Sequence, residues 1–151
     1  DTSKTTGGIA FDMLGNIVVS NVIISSAMSA DNGSKIRIIS PAGDTLLGRF
    51  VCKLRDNTCF SSPDNIAFDK DCKHLFVSGT TNFHVFDYLK DVIPKINSKK
   101  DIDLEPITSL SGVKDGVENT QGIALSNNGE IYVCDHTAKG MANQIKIISF
   151  D

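Results

Sequence analysis

The stretch Pro63-Asp64-Asn65-Ile66-Ala67-Phe68-Asp69 decides the fold, because it is the middle one of three copies of a single phrase. Upstream the chain reads Gly8-Ile9-Ala10-Phe11-Asp12 and downstream Gly122-Ile123-Ala124-Leu125-Ser126, so that Ile9, Ile66 and Ile123 stand 57 residues apart. An equal interval of this size marks a repeat architecture, in which each unit is too small to bury its own apolar face and stacks on its neighbours.

Each copy continues through a turn into a second apolar run: Asn16 to Ser20, Leu75 to Ser78, and Ile131 to Cys134. Short runs of Ile, Val, Phe and Tyr bounded by Gly, Asn and Asp read as strands. Leu14-Gly15 in the first copy and Asn128-Gly129 in the third read as tight hairpin turns. Third runs follow at Lys35 to Ser40, Asn82 to Asp87 and Gln144 to Ser149. Fourth runs follow at Thr45 to Phe50 and, less clearly, Glu105 to Leu110, while the third copy reaches Asp151 before any fourth run. Four antiparallel strands per unit, apolar on both faces of the inner strands, describe the blade of a β-propeller.

The expectation is therefore an all-β chain of three four-stranded blades, at about 7–54, 62–112 and 119–151, the last lacking its outer strand. Propellers close with about 4 to 8 blades, so three make part of a ring of about six, completed by further blades of the same chain or by a second copy. The six polar residues Asp1 to Thr6 are a candidate for the missing outer strand of a partner's third blade. Ile9, Phe11, Ile66, Phe68, Ile123 and Leu125 are expected in the core.

The three phrases with their following strands resemble NHL-type blades and the six-bladed propellers of the gluconolactonase, paraoxonase and strictosidine-synthase group. That resemblance spans nearly the whole chain, and its motifs are structural. It implies two functions: a scaffold recognising a protein, glycan or small-molecule ligand, or a calcium-dependent hydrolase or lactonase. In the hydrolases of this group, carboxylate and amide oxygens where the inner strands begin converge on a divalent ion. The matching positions here are Gly7-Gly8, Asp64-Asn65 and Gln121-Gly122, of which Asp64 and Asn65 most resemble ligands to Ca²⁺. Oxygen donors suit that hard ion, which takes about 6 to 8 of them. The other reading of Asp64 is a turn cap that bonds its own backbone.

In a meandering blade, the loop before the inner strand and the loop between the second and third strands share one face, here the mouth face. That face gathers the insertions Val22 to Ser34 and His136 to Asn143, and makes Asp64, Asn65, Gln121 and Asp135 the candidate ligand-binding residues. His136, after Asp135, is the candidate general base. The segment Lys95 to Asp103 reads as a solvated loop on the opposite face.

A net charge of −3 with no basic stripe excludes the electrostatic footprint of nucleic-acid binding. The apolar stretch Ile17 to Ile24 is interrupted by Ser20 and Asn21, far short of the roughly 20 residues of a membrane span. The chain does not begin with Met, which reads as a processed or trimmed start. Of the four cysteines, Cys52 and Cys59 flank a polar loop that a disulfide would close, with free buried thiols as the other reading; Cys134 reads as a small buried strand residue, and the state of Cys72 stays open. The sequon Asn32-Gly33-Ser34 leans the localisation toward the secreted class.

Overall fold

The computed structural model describes residues 3–24, 35–52, 63–79, 82–98, 101–111, 116–117, 119–136 and 144–149, with side chains at all of these except 3–6, 21–24, 35, 51, 52 and 111. Twelve strands are described: β1 (Ser3–Phe11), β2 (Ile17–Ile24), β3 (Lys35–Ile39), β4 (Leu46–Cys52), β5 (Pro63–Phe68), β6 (His74–Gly79), β7 (Asn82–Asp87), β8 (Asp101–Leu104), β9 (Thr108–Ser111), β10 (Thr120–Leu125), β11 (Ile131–Asp135) and β12 (Gln144–Ile148). They form three sheets, ordered β1-β2-β3-β4-β8, β5-β6-β7-β9 and β10-β11-β12. Every pairing is antiparallel except β4 with β8. The inner strands β1, β5 and β10 are neighbours, so the sheets stand side by side like leaves about a common edge.

The 57-residue period is most visible in the first hairpin of each sheet. Asp12, Asp69 and Ser126 occupy the same place, and in each a side-chain oxygen accepts two backbone N–H groups from the turn it opens. Asp12 Oδ1 takes Leu14 and Asn16 at 2.9 Å, while Asp69 Oδ1 takes Lys73 and His74 at 2.7 and 3.1 Å. Such side chains replace the partners that a reversing backbone loses. Gly15, Cys72 and Gly129, again 57 residues apart, all sit at positive φ, at 77°, 51° and 84°.

Cys72 is thus a side chain in the left-handed position that its counterparts fill with glycine, a conformation costing an L-residue roughly 1–2 kcal/mol. Burial, then the carboxylates of Asp69, Asp12 and Asp71, push its thiol pKa up, so no ionic contact is lost with it. Cys72→Gly should raise stability in a urea titration by about 0.5–1 kcal/mol, the relieved strain less the extra unfolded-state entropy of glycine.

Alternation sorts each strand into a face toward the preceding sheet and a face toward the following one. Val18, Ile36, Ile38 and Phe50 of the first sheet pack on Ile66, Leu75, Val77 and Phe86 of the second, with the Phe50 and Phe86 rings edge to face at 6.1 Å. The other face of the second sheet, with Phe76, Phe83 and Val85, packs on Ile131 and Val133 of the third. Ile66 is buried and Phe68, Ile123 and Leu125 are half-buried, but Ile9 and Phe11 are exposed, against expectation. They point to the face of β1 away from the second sheet, where no described residue covers them.

Three further expectations are corrected. Lys95 to Asp103 is not simply a solvated loop. After β7 the chain forms the short helix α1 (Tyr88–Asp91), capped by Asp87, and a 3-10 turn (Ile93–Lys95), then adds β8 in parallel to the outer edge of β4. Ile102 and Leu104 of β8 are buried and alternate with exposed Asp101 and Asp103, so the first sheet has five strands rather than four. Tyr88 closes the junction from below, its ring edge to face with Phe68 at 4.8 Å and its hydroxyl donating to Asp12 Oδ2 at 3.0 Å. Second, Ser3 to Thr6 are not a spare closing strand, since they continue β1 and pair with Asn21 to Ile24 of β2. Third, Cys134 is exposed, because it faces away from the second sheet. The third sheet has three described strands.

Candidate functional site

The inner strands share a feature that positions the mouth face: each carries a register shift at the same repeat position. The shifts lie between Thr6 and Ile9, between Pro63 and Asn65, and between Thr120 and Gly122, setting Gly7, Asp64 and Gln121 in equivalent bulges. A bulge bends the strand and re-aims its side chain, and is a frequent device beside binding sites.

The two glycines of the first copy answer a steric demand. A Cβ on Gly7 would lie 2.3 Å from the Asp64 carbonyl oxygen, and one on Gly8 would lie 2.5 Å from Asn65 Oδ1 and 2.6 Å from Ile66 N. The backbones of β1 and β5 therefore touch at the mouth, and the space a first-copy ligand would need is filled. Asn65 is half-buried with its Oδ1 accepting the Ile66 N–H at 2.8 Å, and Asp64 is half-buried beside it in the bulge. Among the described residues, no three His, Cys, Asp or Glu side chains gather so as to hold a metal ion. Asn65 Oδ1 is thus bonded to the backbone of its own strand, and β1 is pressed against β5 beside it.

The other candidate residues lie one sheet further on. Gln121 is exposed, and its carbonyl accepts from the Ser78 hydroxyl at 3.1 Å, which ties the second sheet to the third. Asp135 is buried, 1% exposed. Its Oδ1 accepts the Asn119 N–H at 2.8 Å and its Oδ2 pairs with Lys146, whose ammonium also reaches the Gly116 carbonyl. Asp135 thereby fastens the approach to β10 onto β11 and β12. His136 is exposed, its N–H held by the Asn119 carbonyl at 2.9 Å.

These three residues meet. Gln121, Asp135 and His136 line a cleft of about 420 Å³ together with Cys134, Gln144 and Ile145. Asp64 and Asn65 are not among its lining residues. The last three were missed in the sequence, although Gln144 pairs with Asp135 in the β11–β12 register and Ile145 pairs with Cys134. The signal was the polar residue opening the third strand run, directly before the apolar alternation of Ile145 and Ile147.

The crystal structure of the β-propeller domain of Cps50 (Swd1) from Myceliophteria thermophila superposes on this chain with a TM-score of 0.52 over 96% of its length, at 12% identity. The fold is propeller-like. No protein-family model matches the sequence, and no curated protein matches it. The chain spans 41% of the Cps50 propeller domain, less than half of its length. At such low identity the likeness concerns the blade arrangement alone.

The other two histidines fall elsewhere. His84 is buried on β7 with its Nδ1 2.8 Å from Ser109 Oγ, and His74 sits in the opposite-face turn, 2.7 Å from Asp69 Oδ2. The sequon at Asn32 lies outside the described residues, as do Cys59 and the side chain of Cys52.

Proposed function

We propose that this chain is an NHL-like propeller scaffold that recognises a ligand at the mouth face of its blades, without catalysing a reaction. The carrying observation is the cleft of Gln121, His136 and Gln144 beside the apolar wall of Ile145. Two side-chain amides and an imidazole offer both donors and acceptors, while Asp135 is already neutralised by Lys146. That set suits a neutral polar ligand: a glycan, a small hydroxyl-bearing molecule or the backbone of a protein loop. The units 7–54, 62–112 and 119–151 serve as blades of a ring of about six. The sequon favours a secreted protein.

The test is ligand-observed NMR against a panel of neutral saccharides and short peptides. A binder from this panel should lose about tenfold in affinity with Gln121→Ala and again with Gln144→Ala, each close to one hydrogen bond. A panel without binders, or binding indifferent to both substitutions, would overturn the reading. The calcium-dependent hydrolase alternative is examined in parallel by calorimetric titration with calcium, in which wild type and Asp64→Asn should be equally silent. Calcium binding that vanishes in Asp64→Asn would transfer the function to that class.

A further inference from the structure

The approach to β10 is held by one ion pair on the side of the third sheet that faces the second. Alternation along β11 and β12 sets Val133, Asp135, Gln144 and Lys146 on that side, and Cys134 and Ile145 on the other. Asp135 is 1% exposed, and a carboxylate so deeply buried persists only where a counter-ion and hydrogen bonds meet it. Its Oδ2 takes the Lys146 ammonium, and its Oδ1 takes the Asn119 N–H at 2.8 Å. The same ammonium donates to the Gly116 carbonyl, while the Asn119 carbonyl accepts the His136 N–H at 2.9 Å. Val117, between these ties, is buried. Beyond them the second blade takes over: the Thr120 hydroxyl donates to the Gly79 carbonyl at 2.9 Å, and the Ser78 hydroxyl to the Gln121 carbonyl at 3.1 Å.

We infer that Lys146 and Asp135 are the positioning pair of the cleft, and that Lys146, which does not line it, sets through Asp135 where Gln121 and His136 stand toward a ligand. Asn119 is the link. Its N–H is held by one cleft residue, its carbonyl holds the backbone of the next, and Gln121 follows two residues further along. Methionine at position 146 keeps an unbranched apolar stem but leaves the Asp135 carboxylate buried without its counter-ion, a state relieved when the carboxylate turns to water and lets go of Asn119. Arginine keeps the charge and has donors enough for both the carboxylate and the Gly116 carbonyl. This inference rests on the reading of the cleft as a ligand site and deepens it, since it makes affinity depend on a residue that the ligand does not touch.

Amide hydrogen exchange tests the positioning without a ligand. Lys146→Met should speed exchange at the Asn119 and His136 amides by about tenfold or more and shift the side-chain resonances of Gln121 and His136, while the amides of the β6–β7 pairing keep their rates. Lys146→Arg should return all of these to wild type. A binder from the saccharide and peptide panel should then bind Lys146→Met about tenfold more weakly than wild type, and Lys146→Arg about equally. If Lys146→Met does not fold, the double variant Asp135→Asn, Lys146→Met buries no charge, and it should still speed exchange at the Val117 amide, whose peptide carries the Gly116 carbonyl. Unchanged exchange at these amides, a rise shared equally by the whole chain, or an arginine variant that behaves like the methionine one would overturn the inference. Localised exchange with unaltered affinity would overturn the positioning role and leave the ligand site. A panel without binders would remove the ligand site, and this inference with it, whatever the exchange rates.

Discussion

Gly8→Ala should destabilise the chain by about 3 kcal/mol or more, at the upper end of what overpacking a core costs. The added methyl would lie 2.5 Å from Asn65 Oδ1, 2.6 Å from Ile66 N and 2.9 Å from Asn65 Cα. Two of these atoms belong to the backbone of β5, and the third is held by its bond to the Ile66 N–H, so no side chain can simply rotate away. Relief requires the inner strands to part, which would open the junction lined by Val18, Ile36, Ile66 and Val77. Gly122 occupies the same repeat position, yet Gly122→Ala should change stability by less than about 0.5 kcal/mol in the isolated chain. There the nearest atom is the exposed Cys134 Sγ, at 3.3 Å, on a side chain with room to turn. Urea titrations of the two variants compare the positions directly. Equal effects would mean that β1 and β5 do not touch at the mouth.

A fall in stability of about 3 kcal/mol is expected from His84 alone as the pH drops from about 6.5 to about 4. Burial lowers its pKa to about 4 from the ordinary 6.5. Because the folded-state value is the depressed one, the unfolded chain binds the proton first, and each step down through this window favours unfolding. The contribution is fully present above about pH 6.5. His84→Gln should flatten the pH profile between those limits relative to wild type, while leaving the carboxylate titrations below them unchanged. Urea midpoints at closely spaced pH values measure it, and parallel profiles for the two proteins would show that His84 reaches water.

The period of 57 residues carries most of the fold. It placed the inner strands at Ile9, Ile66 and Ile123, and the hairpin turns at Gly15 and Gly129, because strand alternation and turn chemistry are local properties of a few consecutive residues. Of the mouth residues, Gln121, Asp135 and His136 were legible for the same reason, each ending or opening a strand run. Which of them share a space was not. Gln121 and His136 meet Gln144 through the β10–β11–β12 pairing, while Asp64 and Asn65 are drawn off by the contact of β5 with β1.

Local pattern also determined that Ile9 and Phe11 are strand residues facing one side of a sheet, and that Asp101 to Leu104 alternates polar with apolar. Burial is a property of what lies opposite, and that only the tertiary structure decided. The same isoleucine of the same phrase is exposed in the first blade and buried in the second, because one meets no described neighbour and the other meets Val18 and Ile36. Ile102 and Leu104 are buried because the chain leaves the second sheet to pair β8 with β4, a partner 52 residues back that no periodicity announces. The residues thus specified the strands of the repeat and their two faces, though not β8, and the packing of sheet on sheet selected which face became core, which became cleft and which was left open.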